Sequence, residues 1–121
     1  MTKEVATALY DFFNSFGIPG YVNNFVPEDA TLPYITYDAY IGNTLETVPI
    51  GVRVWSAGKL PTELFDIVES IRERIANGLF LPCGNGHLYI YPGNPYAQPA
   101  ASENPDISVM YLNINVSYDL N

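Results

Sequence analysis

The chain has 121 residues, 48% of them hydrophobic, which reads as one domain with enough apolar material for a core of its own. Five Lys/Arg stand against thirteen Asp/Glu, a net charge of −8, which argues against a groove for phosphate backbones, because such grooves are built from Lys and Arg. A single cysteine excludes an internal disulfide, a single histidine excludes a multi-His metal cage, and no stretch reaches the roughly 18 apolar residues of a membrane span.

Met1-Thr2-Lys3-Glu4 runs straight into a helical pattern, with no basic region followed by an apolar run. No signal peptide is read there, and a soluble protein made in a cytoplasm is expected. Thr2 is placed to cap a first helix, in which Val5, Leu9, Phe12, Phe13 and Phe16 recur at spacings of three and four. Gly17 and Pro19 end it. Tyr21 to Val26 is expected to be extended, and Pro27-Glu28-Asp29-Ala30 to turn.

Leu32 to Tyr40 is dense in aromatic and β-branched residues and predicts a strand, with Pro33 at its start or on a sheet edge. Val48 to Ser56 predicts a second strand, antiparallel to the first. Ile50, Val52, Val54 and Ser56 lie on one face of it, and Gly51, Arg53 and Trp55 on the other. A second helix is capped by Ser56 or Thr62 and carries a stripe of Leu64, Ile67, Val68, Ile71 and Ile75. Asn77-Gly78 stops it. Leu79–Leu81 and His87–Tyr91 then flank a hairpin, with Asn85-Gly86 as a type I′ pair.

Pro92 to Pro105 holds four prolines and no periodicity, and predicts a long loop of the kind that carries function. Ile107 to Tyr118 predicts a final strand, with Met110, Leu112, Ile114, Val116 and Tyr118 on one face and Ser108, Tyr111, Asn113, Asn115 and Ser117 on the other. The expected fold class is α+β, an antiparallel or mixed β-sheet with two α-helices packed on one face, plus a short β-hairpin. Residues 1–121 form a single domain.

Little here supports bond-making chemistry. Cys83 and His87 flank a glycine turn, the arrangement of a hairpin tip more than of a thiol-imidazole pair. Glu28, Asp29 and Asp38 lack the spacing of a calcium loop, and Gly84-Asn85-Gly86 opens no helix and is followed by no Lys-Ser/Thr, so it is no phosphate loop. No catalytic residue, cofactor or metal is assigned. The ten tyrosines are more than one sheet face can bury, and Tyr, Trp and Arg are enriched at protein interfaces. Arg53, Trp55, Tyr91, Pro95, Tyr96 and Tyr111 are the interface candidates.

The succession of segments resembles a known family. Phe25-Val26-Pro27-Glu28-Asp29-Ala30-Thr31-Leu32-Pro33-Tyr34-Ile35-Thr36-Tyr37 follows a short helix. Val52-Arg53-Val54-Trp55-Ser56 and an amphipathic helix come next, and then Gly86-His87-Leu88-Tyr89-Ile90-Tyr91-Pro92-Gly93-Asn94-Pro95 before a last strand. This pattern is similar to the tail-terminator, or tail-completion, proteins of long-tailed bacteriophages and prophages, some of whose relatives are termed minor capsid proteins. The resemblance implies a non-enzymatic virion protein at the head-tail junction, assembled in the bacterial host cytoplasm. It implies a homo-oligomeric ring, typically of six subunits, that stops tail-tube growth and meets head-tail connector proteins. DNA passes through such a ring without specific binding, and acidic walls suit that passage. The alternative from the residues alone is a monomeric protein- or peptide-binding adaptor that uses an open sheet edge.

Overall fold

A computed structural model describes residues 3–39, 46–59 and 61–120. Its elements are α1 (Lys3–Phe13), β1 (Gly20–Val22), β2 (Tyr34–Tyr37), β3 (Thr47–Ala57), α2 (Thr62–Ile75), β4 (Leu79–Cys83), β5 (Gly86–Ala100) and β6 (Ile107–Leu120). The six strands form one mixed sheet in the order β1-β2-β3-β6-β5-β4, in which only β1 and β2 run parallel. The fold is α+β, and both helices cover the same face of the sheet.

Period-two alternation decides that face. Ile50, Val52 and Val54 of β3, Leu88 and Ile90 of β5, and Leu112, Ile114 and Val116 of β6 all turn inward and are buried. They meet Val5, Leu9, Phe12 and Phe13 of α1 and the Leu64, Ile67, Val68, Ile71 and Ile75 stripe of α2 in one continuous core. Phe13 stacks on Tyr37 with ring centroids 4.4 Å apart. Burial, with Tyr10 nearby as a lesser cause, pushes the Tyr37 hydroxyl up to about 12.

Helix α1 packs against β1 and β4, the two outermost strands of the sheet order. The sheet therefore curls until both of its ends reach one helix. The approach is close at each end: a Cβ on Gly20 would lie 2.7 Å from the Phe13 carbonyl oxygen, and one on Gly84 3.3 Å from Glu4 Cγ.

Several expectations are corrected. The strand predicted from Leu32 to Tyr40 spans only Tyr34–Tyr37, with Pro33 just before it; Tyr40 and the Thr2 cap lie outside the described residues. Of the extended segment from Tyr21 to Val26, only Tyr21 and Val22 are in a strand, Gly20–Val22, because Asn24 adopts φ +73 and turns the chain. Ser56 is inside β3 and Thr62 is already helical. The N-cap of α2 is Pro61, which makes no side-chain bond, so neither predicted cap acts. The hairpin pairs Cys83 with Gly86, which leaves Gly84-Asn85 as its two central residues. Gly84 takes φ +59 and Asn85 is not left-handed, the type II′ preference for glycine first. Ser108 pairs with Ser56 and shares the phase of Met110, not of Asn113.

The largest correction concerns Pro92 to Pro105. Strand β5 continues to Ala100, interrupted by a bulge: Pro92 pairs with Ile114 and Ala97 with Leu112, so residues 93–96 oppose Asn113 alone. The prolines fit because β4 reaches only as far as Ile90. Beyond it β5 has a neighbour on one side only, and a missing N–H on the open side costs no ladder bond. What remains irregular is the stretch 101–106.

Candidate functional site

The second face of the sheet, turned away from the helices, is assembled by register. At one end Tyr34 pairs with Trp55. Tyr21 meets Tyr34 edge-on at 5.7 Å and Tyr34 lies 6.1 Å from Trp55, while the Trp55 indole N–H donates to Thr36 Oγ1 at 3.0 Å. The bond ties the indole to the neighbouring strand and satisfies its one donor. The next row runs Tyr21, Thr36, Arg53, Tyr111, Gln98. The Arg53 guanidinium sits 5.0 Å from the Tyr111 ring centroid, a cation–π contact.

Glycine at position 51 makes room for this. A Cβ there would stand 2.5 Å from the Tyr111 hydroxyl oxygen and 2.9 Å from Asp38 Oδ2. Asp38 Oδ2 instead accepts the Gly51 N–H at 3.0 Å, and the Gly51 carbonyl accepts the Asp38 N–H at 3.0 Å. Asp38 thus continues the β2 pairing by one side-chain step.

Further along, Pro49, Asn115 and Tyr91 form one row, and Thr47, Ser117, Tyr89 and Phe80 the next. Tyr91, Tyr89, Phe80 and His87 make a second run of rings, with centroids 5.1, 4.6 and 5.2 Å apart in turn. Phe80 is 61% exposed. His87 Nε2 lies 3.6 Å from Asp119 Oδ2 at this margin. Between Tyr111 and Tyr89 the strand rows hold glycine, proline, asparagine, threonine, serine and tyrosine, and the carboxylate beside them is that of Asp38, bonded to the Gly51 N–H. The exposed side of α2, in contrast, carries Glu63, Asp66, Glu69, Arg72, Glu73 and Arg74.

Of the six predicted interface residues, Arg53, Trp55, Tyr91 and Tyr111 share this outer face. Pro95 sits exposed in the β5 bulge at its margin, where its carbonyl accepts a bond from Asn113 Nδ2 at 2.9 Å. Tyr96 belongs elsewhere. It turns to the helix side, packs against the core, and donates its hydroxyl to the Val68 carbonyl at 2.8 Å. Burial, reinforced by Glu69 and opposed by Arg72, pushes that hydroxyl above the usual tyrosine range. Counting by twos from Pro92, which pairs with the inward Ile114, already puts Tyr96 on the helix side; reading Pro92 to Pro105 as a loop hid that phase. Sequence reasoning placed Asn113 and Asn115 with Tyr111 but left them out of the interface candidates, and it missed Phe80, for which the phase of Tyr89 on the neighbouring strand was the signal.

The two residues first suspected of chemistry are separated by the sheet itself. Cys83 is buried on the core side, where burial and, less, Glu4 push its thiol up, while His87 stands on the outer face beside Phe80. Among the described residues no group of three or more His, Cys, Asp or Glu is placed to hold a metal ion, and no helix is long and apolar enough to cross a membrane. No family model matches the sequence, and no curated protein matches it.

The described sheet edges are poorly suited to accept another strand. On β1, Asn14 acts as a substitute partner: its Oδ1 accepts the Gly20 N–H at 2.9 Å and its Nδ2 donates to the Gly20 carbonyl at 3.1 Å. Val22 O is taken by the Phe25 N–H at 2.9 Å. Pro82 removes a donor from β4, and Pro95 and Pro99 remove donors from the far half of β5. Such devices hinder edge-to-edge pairing.

Proposed function

We propose that this chain is a structural assembly protein that self-associates through the outer face of its sheet, and that it caps the head-proximal end of a phage tail tube as a ring, joining tube to head. The observation that carries the proposal is the outer face itself. A chain of net charge −8 keeps the middle of this face to one carboxylate, Asp38, which is tied to the Gly51 N–H, and fills its two ends with Tyr21, Tyr34, Trp55 and Tyr111 and with Phe80, Tyr89 and Tyr91. Depletion of charge with enrichment of aromatic rings and arginine is the composition of an interface centre. Like-charged copies set few carboxylates against each other there. A closed ring needs head-to-tail contact, so the outer face of one copy meets a different surface of the next, for which the exposed bulge around Pro95 is the candidate.

The segment-by-segment resemblance to tail-terminator proteins supplies the biological setting, with head-tail connector proteins as partners and DNA passing without specific binding. The alternative adaptor reading depends on an open strand edge, and Asn14, Pro82, Pro95 and Pro99 count against that route.

The test is to add the purified chain to tail-tube protein from the same virion during polymerisation and to image the tubes by negative-stain microscopy. Tubes capped at one end, shorter as more chain is added, are expected. Uncapped tubes of unchanged length, with no chain bound, would contradict the proposal.

A further inference from the structure

Where α1 meets β1, the side chains of Tyr10, Tyr21, Val22 and Phe25 and the backbone of Gly20 surround an open, almost wholly apolar hollow of about 390 Å³. Tyr10 is 55% exposed and Phe25 76%, the most exposed large hydrophobic side chain among the described residues. The backbone holds Phe25 out. A turn closed by the Phe25 N–H on the Val22 carbonyl at 2.9 Å follows β1, and Asn24 adopts the left-handed φ of +73 within it. Asparagine tolerates that conformation better than most residues, so the projecting ring is a built feature of the turn.

The segments that build the hollow carry one sign of charge. Residues 4–52 hold six carboxylates and no Lys, Arg or His. Glu28 and Asp29, both exposed, come directly after the Phe25 turn, and Asp38 lies 3.5 Å from Asn23 Nδ2 on the same side. Along the register the first cation is Arg53, two strands from Tyr21 and held over the Tyr111 ring. A polyanion is repelled from such a rim, and so is the acidic bulk of a second copy. Strand addition to β1 is closed off by Asn14. Side-chain capture is left.

We infer that this hollow receives an apolar side chain flanked by Lys or Arg, presented by a partner polypeptide other than this chain. The inference stands whether or not the chain forms a ring. The probe is a hexapeptide, Lys-Leu-Phe-Lys between glycines, titrated into the 15N-labelled protein and followed by amide chemical shifts. Two control peptides replace both Lys by Glu or both apolar residues by Ser. Saturable shifts confined to Tyr10 and residues 20–25 are expected for the first peptide alone, weaker at 500 mM than at 50 mM salt because exposed charges are screened. Phe25→Ser should weaken binding about tenfold or more, as the loss of an anchor does. Phe65→Ser, which removes an exposed ring of α2 among Glu63, Asp66 and Glu69 but without a hollow, should leave it unchanged. The inference is overturned by equal binding of the Glu peptide, by no binding of the Lys peptide, or by equal loss in Phe65→Ser. Concentration-dependent shifts at residues 20–25 without peptide would assign the hollow to a second copy instead.

Discussion

On β6, Leu112, Ile114 and Val116 turn inward and are fully buried, while Tyr111, Asn113 and Asn115, one residue out of phase, turn outward and stay partly open. The same strand therefore presents aliphatic side chains to α2 and an aromatic-amide surface to its surroundings. The inner set is what folding requires: methyl-rich side chains that fill space between helices and sheet. The outer set contributes less to that core, yet the face it belongs to carries Trp55, the one tryptophan of the chain. Sheets that face only water are usually covered by small polar and charged residues; a tyrosine-tryptophan-arginine surface has instead the composition of an interface centre.

The contrast can be broken from the inner side first. Leu112→Ala, at a position with no exposure, should cost about 3 kcal/mol in urea denaturation, the transfer loss plus a cavity. Gly51→Ala tests where the two faces meet. The new methyl collides with Tyr111 and Asp38 and should cost about 2 kcal/mol by overpacking. Adding Tyr111→Ala should recover much of that loss if the ring is the obstacle, a non-additivity that a double-mutant cycle reads directly.

Tyr96→Phe removes the bond to the Val68 carbonyl and should cost about 1 kcal/mol, again by urea denaturation. The buried hydroxyls also set an alkaline limit. Tyr37 rises to about 12 and Tyr96 rises too, each from an ordinary value of 10.0. A group whose folded value is raised stabilises the fold fully below its unfolded value, and that contribution is lost as pH climbs through the folded one. Stability should therefore fall from about pH 10 to pH 12 for Tyr37, and Tyr37→Phe should flatten the fall in a pH series of thermal melts. The smallest effect is expected on the outer face, where Asn115→Lys should change stability by less than about 0.5 kcal/mol.

Most of the inner face was legible in the sequence, because its signals are local. The stripes of α1 and α2 follow helical spacing, and Ile50-Val52-Val54 and Leu112-Ile114-Val116 alternate cleanly. The far half of β5 was not legible. Its prolines read as loop in one dimension, and only the arrangement of neighbours reveals that β4 stops at Ile90 and leaves that edge open. Tyr96 was misplaced for the same reason: a residue read as loop is given no phase, although counting by twos from Pro92 would have turned it inward. The turn at Gly84-Asn85 slipped by one residue because Gly84-Asn85-Gly86 offers two acceptable pairs, and the pairing of Cys83 with Gly86 chooses between them. Asn14 gave no warning of its role, since its partner Gly20 is brought to it only by the fold.

The outer face as a self-association surface is tested most directly by sedimentation velocity on the wild-type chain and on Tyr91→Lys, which sets a cation among the rings at one end of that face. The account predicts a wild-type assembly larger than a dimer, a monomeric Tyr91→Lys chain, and the same thermal midpoint for both within about 2 °C. A wild-type chain that stays monomeric at every concentration, or a Tyr91→Lys chain that assembles as the wild type does, would contradict it.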